Sequence, residues 1–495
     1  MKKKINSALV SVFNKNGLNE IVKLLFKQGI KIISTGGTAD FIRKLGVSVV
    51  EVETITNFPA IFDGRVKTLE PHIFGGILNR RENINDQKEK EIHNIQDIDL
   101  VIVDLYPFEE TLESGASEEE IIEKIDIGGI ALIRAAAKNF KDVVIIPSKH
   151  QYQELIQILE KGNETTLLER RKFAGDAFKI TNTYDRAIWG YFQGRTLRYG
   201  ENPHQRGEFI GNLEESFIQL YGKELSYNNL IDTEAAFMVV NDFKDPAFAI
   251  IKHMNACGLA VRGEGHLMEA YQSAYNADPL SAFGGILAAN RIINEGIAKL
   301  IKEQGLFVEV IIAPGFSEEA LKILNEKKNC RILKWNNPTL PTKQMRTCLN
   351  GILIQGRDTH IESIDDFTIT TTREPSEREK KDLLMATIAT KHLKSNSVAL
   401  VKDNTLLSMG CGQTSRVDAL KQAIDKAKKF GFSLEGAVLS SEAFFPFPDC
   451  IEMAGEAGIT AVIHPGGSKN DQASIDMANK YKMAMVTTGF RHFKH

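Results

Sequence analysis

Apolar residues in the first 150 positions fall into short blocks separated by amphipathic stretches, the pattern of alternating strands and helices. Ala8-Leu9-Val10-Ser11-Val12 predicts a strand, Leu18 to Gln28 carries apolar residues at helical spacing, and Lys31-Ile32-Ile33 predicts a second strand. The turn Ser34-Thr35-Gly36-Gly37-Thr38 then opens a helix through Leu45. Asp99 to Val103 predicts a further strand, which Pro107 prevents from continuing. Asp126-Ile127-Gly128-Gly129 leads into a helix carrying Arg134, Lys138 and Asn139. Residues 167 to 193 predict one or two helices, and Gly194-Arg195 breaks the pattern, placing a domain boundary there.

The remainder repeats the alternation. Ala249-Ile250-Ile251 predicts a buried strand ending in Lys252-His253, followed by a small-residue turn at Asn255-Ala256-Cys257-Gly258. Val308 to Ala313 predicts another strand, and the charge run at 373–382 predicts a solvated linker and helix start. Lys394-Ser395-Asn396-Ser397 precedes a strand at Val398 to Val401, and Gly410 to Arg416 leads into a helix. Two such blocks predict a duplicated α/β unit, about 195–370 and 371–495. Phe444-Phe445-Pro446-Phe447-Pro448 excludes a central strand and predicts either a packed loop core or an aromatic wall for a flat ring. The basic segment from Thr488 to His495 predicts a frayed tail.

Composition narrows the function. A chain of 495 residues predicts two or three domains, and 43% hydrophobic with 25% charged residues is ordinary for a soluble protein. A net charge of -3 argues against nonspecific nucleic-acid binding, so any anion must be held by local clusters. Five dispersed cysteines without a C-x-x-C pair predict a reduced, cytoplasmic protein with neither a disulfide framework nor a zinc knuckle. The stretch after Lys2-Lys3-Lys4 is too short and interrupted for a signal peptide, and no segment reaches the roughly 18 apolar residues of a membrane helix.

Lys252 beside His253 at a strand end offers a cation for an oxyanion and a base near neutral pH; the alternative is a capping lysine beside a core histidine. The turn at Ser34 to Thr38 suits a phosphate at a helix N-terminus, or is simply a capped turn. Arg65 and Lys67 follow a glycine and taken singly read as solvated charges, and Arg198 with Tyr199 and His204 either grips an anion and flanks a ring or is a polar interdomain loop.

SVFNKNG, STGGT, GRVKTL, DLYPF, IDIGG and RAAAKN, in that order, resemble the inosinate cyclohydrolase domain of the bifunctional purine-biosynthesis family. LRYGENPHQ, the KH-x-N-x-CG stretch, SAFGG, IIAPGF, KSNS, GQTSR, FFPFPD, PGGS and RHFKH resemble its AICAR transformylase domain. The resemblance implies an α/β protein: a methylglyoxal-synthase-like three-layer cyclohydrolase domain over 1–194, then a duplicated cytidine-deaminase-like transformylase domain over 195–495. It implies formyl transfer from 10-formyltetrahydrofolate to AICAR, giving FAICAR, and cyclisation of FAICAR to IMP with loss of water. No metal is required, which agrees with the missing deaminase zinc pattern.

By the same resemblance, His253 is the general base, Lys252 holds the oxyanion or folate leaving group, and Asn396 orients the formyl or amine. Arg198, Tyr199, His204, Gly284, Glu309, Ser415, Arg416, Arg491 and His495 bind substrate, while Phe283, Phe444 and Asp449 hold and orient flat rings. Lys67, Tyr106, Asp126 and Lys138 move protons in cyclisation. Ser11, Lys15, Ser34, Thr35, Gly36, Gly37 and Thr38 cradle the phosphate, aided by Arg65 and Thr68. A homodimer with transformylase sites at the interface is implied, with no nucleic-acid or membrane partner. The chain departs from the family pattern at Phe13, Asn14, Asp104, Ala256 and His464. A methylglyoxal-synthase-like lyase and a noncatalytic nucleotide-binding module are the other function classes; GRVKTL and DLYPF favour the cyclohydrolase over the first, and Tyr106, Asp126 and Lys138 count against the second.

Overall fold

Ser7–Ser11 (β1) runs through the middle of a five-stranded sheet, and four of its five residues are buried. Strands buried on both faces need helices on both sides, and the intervening chain supplies them. Leu18–Lys27 (α1) buries Leu18, Ile21, Val22 and Leu25, one stripe at helical spacing. Lys31–Ser34 (β2), Gly36–Lys44 (α2), Val50–Glu51 (β3), Leu100–Val103 (β4), Gly128–Lys138 (α3) and Val144–Ile146 (β5) complete the frame. The order is β3-β2-β1-β4-β5, all parallel. Leu167–Gln193 (α4) is a single helix, begun by a Thr166–Glu169 capping box.

The computed structural model describes residues 2–495, which separate into one compact unit up to Gly194 and another from Arg195 to His495. The second unit is built twice on one plan. Its first half runs Phe217–Tyr221 (β6), Tyr227–Asn241 (α5), Ala247–Lys252 (β7), Asn255–Val261 (β8), Leu267–Ala277 (α6), Gly285–Ala289 (β9), Val308–Ala313 (β10) and Arg331–Trp335 (β11). Its second half runs Thr368–Ile369 (β12), Glu377–Lys391 (α7), Val398–Lys402 (β13), Thr405–Gly410 (β14), Arg416–Lys429 (α8), Val438–Ser441 (β15), Asp449–Glu456 (α9), Ala461–His464 (β16) and Ala484–Thr487 (β17). All twelve strands join one sheet in the order β6-β11-β10-β9-β7-β8-β14-β13-β15-β16-β17-β12. The halves meet antiparallel at β8 and β14, where Ala260 pairs with Thr405. The strand order of one half is the mirror of the other, so the unit is a duplication.

Three expectations are corrected. Asn255 to Gly258 is not a turn but the start of β8; the turn is His253-Met254, with φ of 50° and 64°. The small residues serve packing instead, since a Cβ on Gly258 would lie 2.0 Å from the Ala274 carbonyl oxygen of α6. The charge run at 373–382 does start a helix, α7 from Glu377, but it is solvated only in part: Glu379 and Asp382 are buried, with Glu379 bonded to Arg373 at 2.8 Å. The segment from Thr488 does not fray: His492 is buried and Lys494 donates its amide to Ser395 Oγ at 3.1 Å.

Candidate active sites

Loops leaving the carboxyl ends of β1, β2 and β4 enclose a cavity of about 630 Å³, the position at which open parallel sheets take ligands. Ser11, Lys15, Thr35, Gly37, Thr38, Arg65, Lys67, Thr68, Tyr106 and Asp126 all line it. A Cβ on Gly36, the first residue of α2, would lie 3.8 Å from Lys67 Nζ. An ammonium and the positive end of a helix therefore converge, which suits an anion. Several expected contacts are already committed within the protein. Ser34 is buried and donates to the Val10 carbonyl at 2.7 Å; Thr38 Oγ1 donates to the Val12 carbonyl at 2.9 Å. Lys15 Nζ donates to the carbonyls of Val12 and Phe13 at 2.8 and 3.0 Å, and burial lowers its pKa. Arg65 pairs with Glu123. Lys138 is exposed at the last turn of α3, about 15 Å along the axis from Gly128, and does not line the cavity.

The departures at Phe13, Asn14 and Asp104 belong together. The Asp104 carboxylate accepts the amides of both Phe13 and Asn14, the latter at 3.0 Å; an asparagine offers only one accepting oxygen. That bond pair holds Phe13 edge-on to Tyr106, ring centroids 5.4 Å apart, with Lys124 Nζ 5.6 and 5.9 Å from the two centroids. Asp126 accepts the Gly129 amide at 2.6 Å and gives its own amide to Tyr184 Oη at 2.8 Å. Burial raises the pKa of Asp126 above the usual carboxylate value and that of Tyr106 above the usual phenol value. Lys124 was not anticipated from the sequence, where a single charge among glutamates carries no signal.

In the second unit, β7 and β8 form a hairpin whose two-residue turn projects His253, exposed, at a cavity of about 900 Å³. Both turn residues have positive φ, as a type I′ turn requires. Histidine tolerates this better than most, whereas Met254 is unusual there. Asp232 of α5 steadies the turn by accepting the Met254 amide at 2.7 Å, and burial raises its pKa. Lys252 Nζ donates to the Phe283 carbonyl at 2.8 Å and retains two further N–H donors. Gly284, next in the chain, has φ 69°, and a Cβ there would lie 3.0 Å from Lys252 Nζ. Arg198, Tyr199, Lys252, His253, Gly284 and Glu309 line the cavity. The Arg198 guanidinium lies 5.4 Å from the Tyr199 ring centroid. Glu309 is bonded to Arg331 at 2.6 Å. His204 is exposed and Phe283 packs on Phe307 at 5.4 Å; neither lines the cavity. Asp232 and Arg331 do line it and were missed.

The remaining expected residues gather elsewhere in this unit. Arg416 is buried, donating to Glu442 at 2.6 Å, to Ser441 Oγ at 2.6 Å and to Asn396 Oδ1 at 2.8 Å. Asn396 in turn donates to the Gln413 carbonyl at 3.0 Å. Ser415 caps α8, accepting the Asp418 amide at 3.1 Å. Of the aromatic run, Phe445 is buried while Phe444 and Phe447 are exposed, so the run is part packed core and part open wall. Asp449 starts α9, Arg491 lies over the Phe493 ring at 4.4 Å, and His495 is 5.7 Å from that ring. None of Asn396, Ser415, Arg416, Phe444, Asp449, Arg491 and His495 lines the His253 cavity.

Two family models match the chain: the MGS-like domain over residues 17–131 and the AICARFT/IMPCHase bienzyme over 136–426. The chain is 52% identical to the bifunctional purine biosynthesis protein PurH of Bacteroides thetaiotaomicron, covering 100% of this chain and 99% of that protein. It is 44% identical to the PurH protein of Bacillus mycoides over all of both chains, and 45% identical to that of Persephonella marina over 99% of each. Matches of this identity along the full length leave no part of the chain outside the relationship, and the chain belongs to the AICARFT/IMPCHase bienzyme family of bifunctional purine biosynthesis proteins.

Proposed function

We propose that the unit from Arg195 transfers a formyl group from 10-formyltetrahydrofolate to AICAR, and that the unit up to Gly194 closes the product, FAICAR, to IMP with loss of water. The observation that carries the reading is His253, held by a turn of positive φ at a cavity, with Lys252 beside it and Asp232 behind it.

The 5-amino group of AICAR is a weak nucleophile. As its nitrogen attacks the formyl carbon, His253 takes the proton and the free N–H donors of Lys252 meet the developing oxyanion. Collapse breaks the bond from the formyl carbon to N10 of the folate, which leaves as tetrahydrofolate after taking a proton. In cyclisation the carboxamide nitrogen attacks the formyl carbon of the same molecule, so the site mainly has to fold the substrate and move protons. The raised pKa of Asp126 makes it a better proton acceptor than an exposed aspartate, and that of Tyr106 keeps its phenol a donor for the departing hydroxyl. Lys67, whose ammonium lies beside the first residue of α2, faces the phosphate.

Asn396 and Arg416 do not line the His253 cavity, and we read the protein as a homodimer whose formyl-transfer sites draw on both copies. On that reading His253→Ala and Asn396→Ala proteins, each inactive alone, recover about a quarter of parent formyl transfer when exchanged into mixed dimers. We read the protein as cytoplasmic from its reduced cysteines.

The deciding assay supplies AICAR and 10-formyltetrahydrofolate and follows tetrahydrofolate and IMP separately. Both products are expected. Tetrahydrofolate without IMP above the spontaneous rate refutes the cyclohydrolase reading, and neither product from folded protein points to a nucleotide-binding module.

A further inference from the structure

His492 is buried, and each of its ring nitrogens faces a carboxylate: Nδ1 lies 2.6 Å from Asp358 Oδ2 and Nε2 2.9 Å from Glu362 Oε1. An ionised carboxylate only accepts, so both nitrogens donate and the ring is an imidazolium. Glu362 is itself buried. His360, from the same short segment, stacks on Phe490 with centroids 3.7 Å apart and lies parallel to His492 at 6.3 Å.

This anchor lies between two strands of the Asn396 network. The His492 amide donates to the Glu442 carbonyl at 3.1 Å, and the Glu442 carboxylate holds Arg416 and accepts the Ser397 amide at 3.1 Å. Two residues further on, the Ser395 amide donates to the Lys494 carbonyl at 2.9 Å, the Lys494 amide returns a bond to Ser395 Oγ at 3.1 Å, and Lys494 Nζ reaches the His392 carbonyl at 3.0 Å. Asn396 is thus flanked by residues that both lean on the segment His492 ties down.

We propose that His492 is a positioning residue for formyl transfer: clamped between Asp358 and Glu362, it holds the Ser395-Asn396 backbone and the Arg416–Glu442 pair in register. The proposal rests on reading Asn396 and Arg416 as transformylase residues. Other titratable or charged groups lie near the clamp: His360, Lys391, whose ammonium is bound to Asp242 at 2.8 Å and acts on Asp358, and Lys494, whose pKa burial lowers. Burial alone would lower the His492 pKa, but the two carboxylates outweigh it and raise it to about 9 from 6.5. The clamp is therefore complete below the unfolded value and is lost as pH rises through the folded one.

The test follows formyl transfer and cyclisation in the same full-chain samples from about pH 6 to about pH 10. The parent is expected to lose formyl transfer along an alkaline limb near about 9. Glu362→Gln removes one carboxylate and should move that limb down by about 1 unit or more, with cyclisation unchanged. His492→Gln should lower kcat/KM at every pH and remove the limb. A limb that stays in place in an active Glu362→Gln protein overturns the proposal. Uniform loss at every pH marks a damaged fold, and the half-exposed Asp358→Asn is then judged by the same criterion; uniform loss there too overturns positioning in favour of a structural role. If the parent itself does not formylate AICAR, the functional reading has failed. The clamp is then judged by hydrogen exchange of the Ser395 and Lys494 amides against pH, and no change on Glu362→Gln overturns it.

Discussion

The two halves of the unit from Arg195 share a frame and differ most plainly at the turn that follows β7 in one and β13 in the other. In the first, Lys252 ends β7, His253-Met254 makes the turn, and Asp232 accepts the Met254 amide. In the second, Lys402 ends β13, Asp403-Asn404 makes the turn at φ 51° and 50°, and Asp382 accepts both turn amides, at 3.1 and 2.6 Å. Lys252 donates to the Phe283 carbonyl at 2.8 Å, just before Gly284 at φ 69°; Lys402 donates to the Glu435 carbonyl at 2.8 Å, just before Gly436 at φ 75°. The lysine bond is therefore a property of the frame and says nothing by itself about catalysis. The turn differs in kind. Asp and Asn are at home at positive φ, whereas a methionine there costs on the order of 1 kcal/mol. The first half tolerates worse turn chemistry and gains a histidine at a cavity.

The largest effect should separate the two turns. His253→Ala is expected to lower formyl transfer by about 10²–10⁴-fold with cyclisation unchanged. Asp403→Ala, the matching position, removes an exposed carboxylate 3.2 Å from Arg378 and should leave both activities within about twofold. Steady-state kinetics on the pair decides it: equal losses would mean that both turns serve only the fold.

The frame should instead respond symmetrically. A Cβ on Gly258 would lie 2.0 Å from the Ala274 carbonyl oxygen, and one on Gly410 1.9 Å from that of Ala419. Neither helix backbone can yield cheaply, so Gly258→Ala and Gly410→Ala should each cost about 1–3 kcal/mol in denaturant unfolding. A loss confined to one half would break the duplication as an energetic statement.

How much of this was legible follows the same division. Strands such as Val308 to Ala313 and the helix from Leu18 show in single-chain periodicity, because one burial pattern dictates each. The duplication was visible only as rhythm, yet residues 150 apart carry it: Ser226 and Ser376 cap α5 and α7, Asp232 and Asp382 hold the turns, and Lys252 and Lys402 end the strands. That spacing was the available signal for Asp232. The burial of Glu379 and Asp382 within the 373–382 charge run and the pinned His492 were not legible, since composition reads charges as solvated and partners such as Thr460, Asp403 and Asp358 lie further along or back in the chain. The commitment of Ser34, Thr38 and Arg416 to internal bonds likewise depends on neighbours that no motif contains.

The smallest effect concerns one position of the frame. Ile286 pairs with Val310 as Val438 pairs with Ala461, so Ala313-Pro314-Gly315 corresponds to His464-Pro465-Gly466. The first half buries an alanine there and the second a histidine, whose Nδ1 accepts the Gly466 amide at 3.1 Å. Burial lowers the His464 pKa from 6.5 to about 4. With the folded value below the unfolded one, the unfolded chain binds the extra proton first, so stability falls as pH drops from 6.5 toward about 4. The loss amounts to about 3 kcal/mol at its limit. His464→Gln cannot charge, so its denaturation midpoint in this unit should vary less between pH 6.5 and about 4 than the parent's. Parallel acid profiles for the two proteins would show that the imidazole charges without cost, and that the halves tolerate Ala313 and His464 for packing alone.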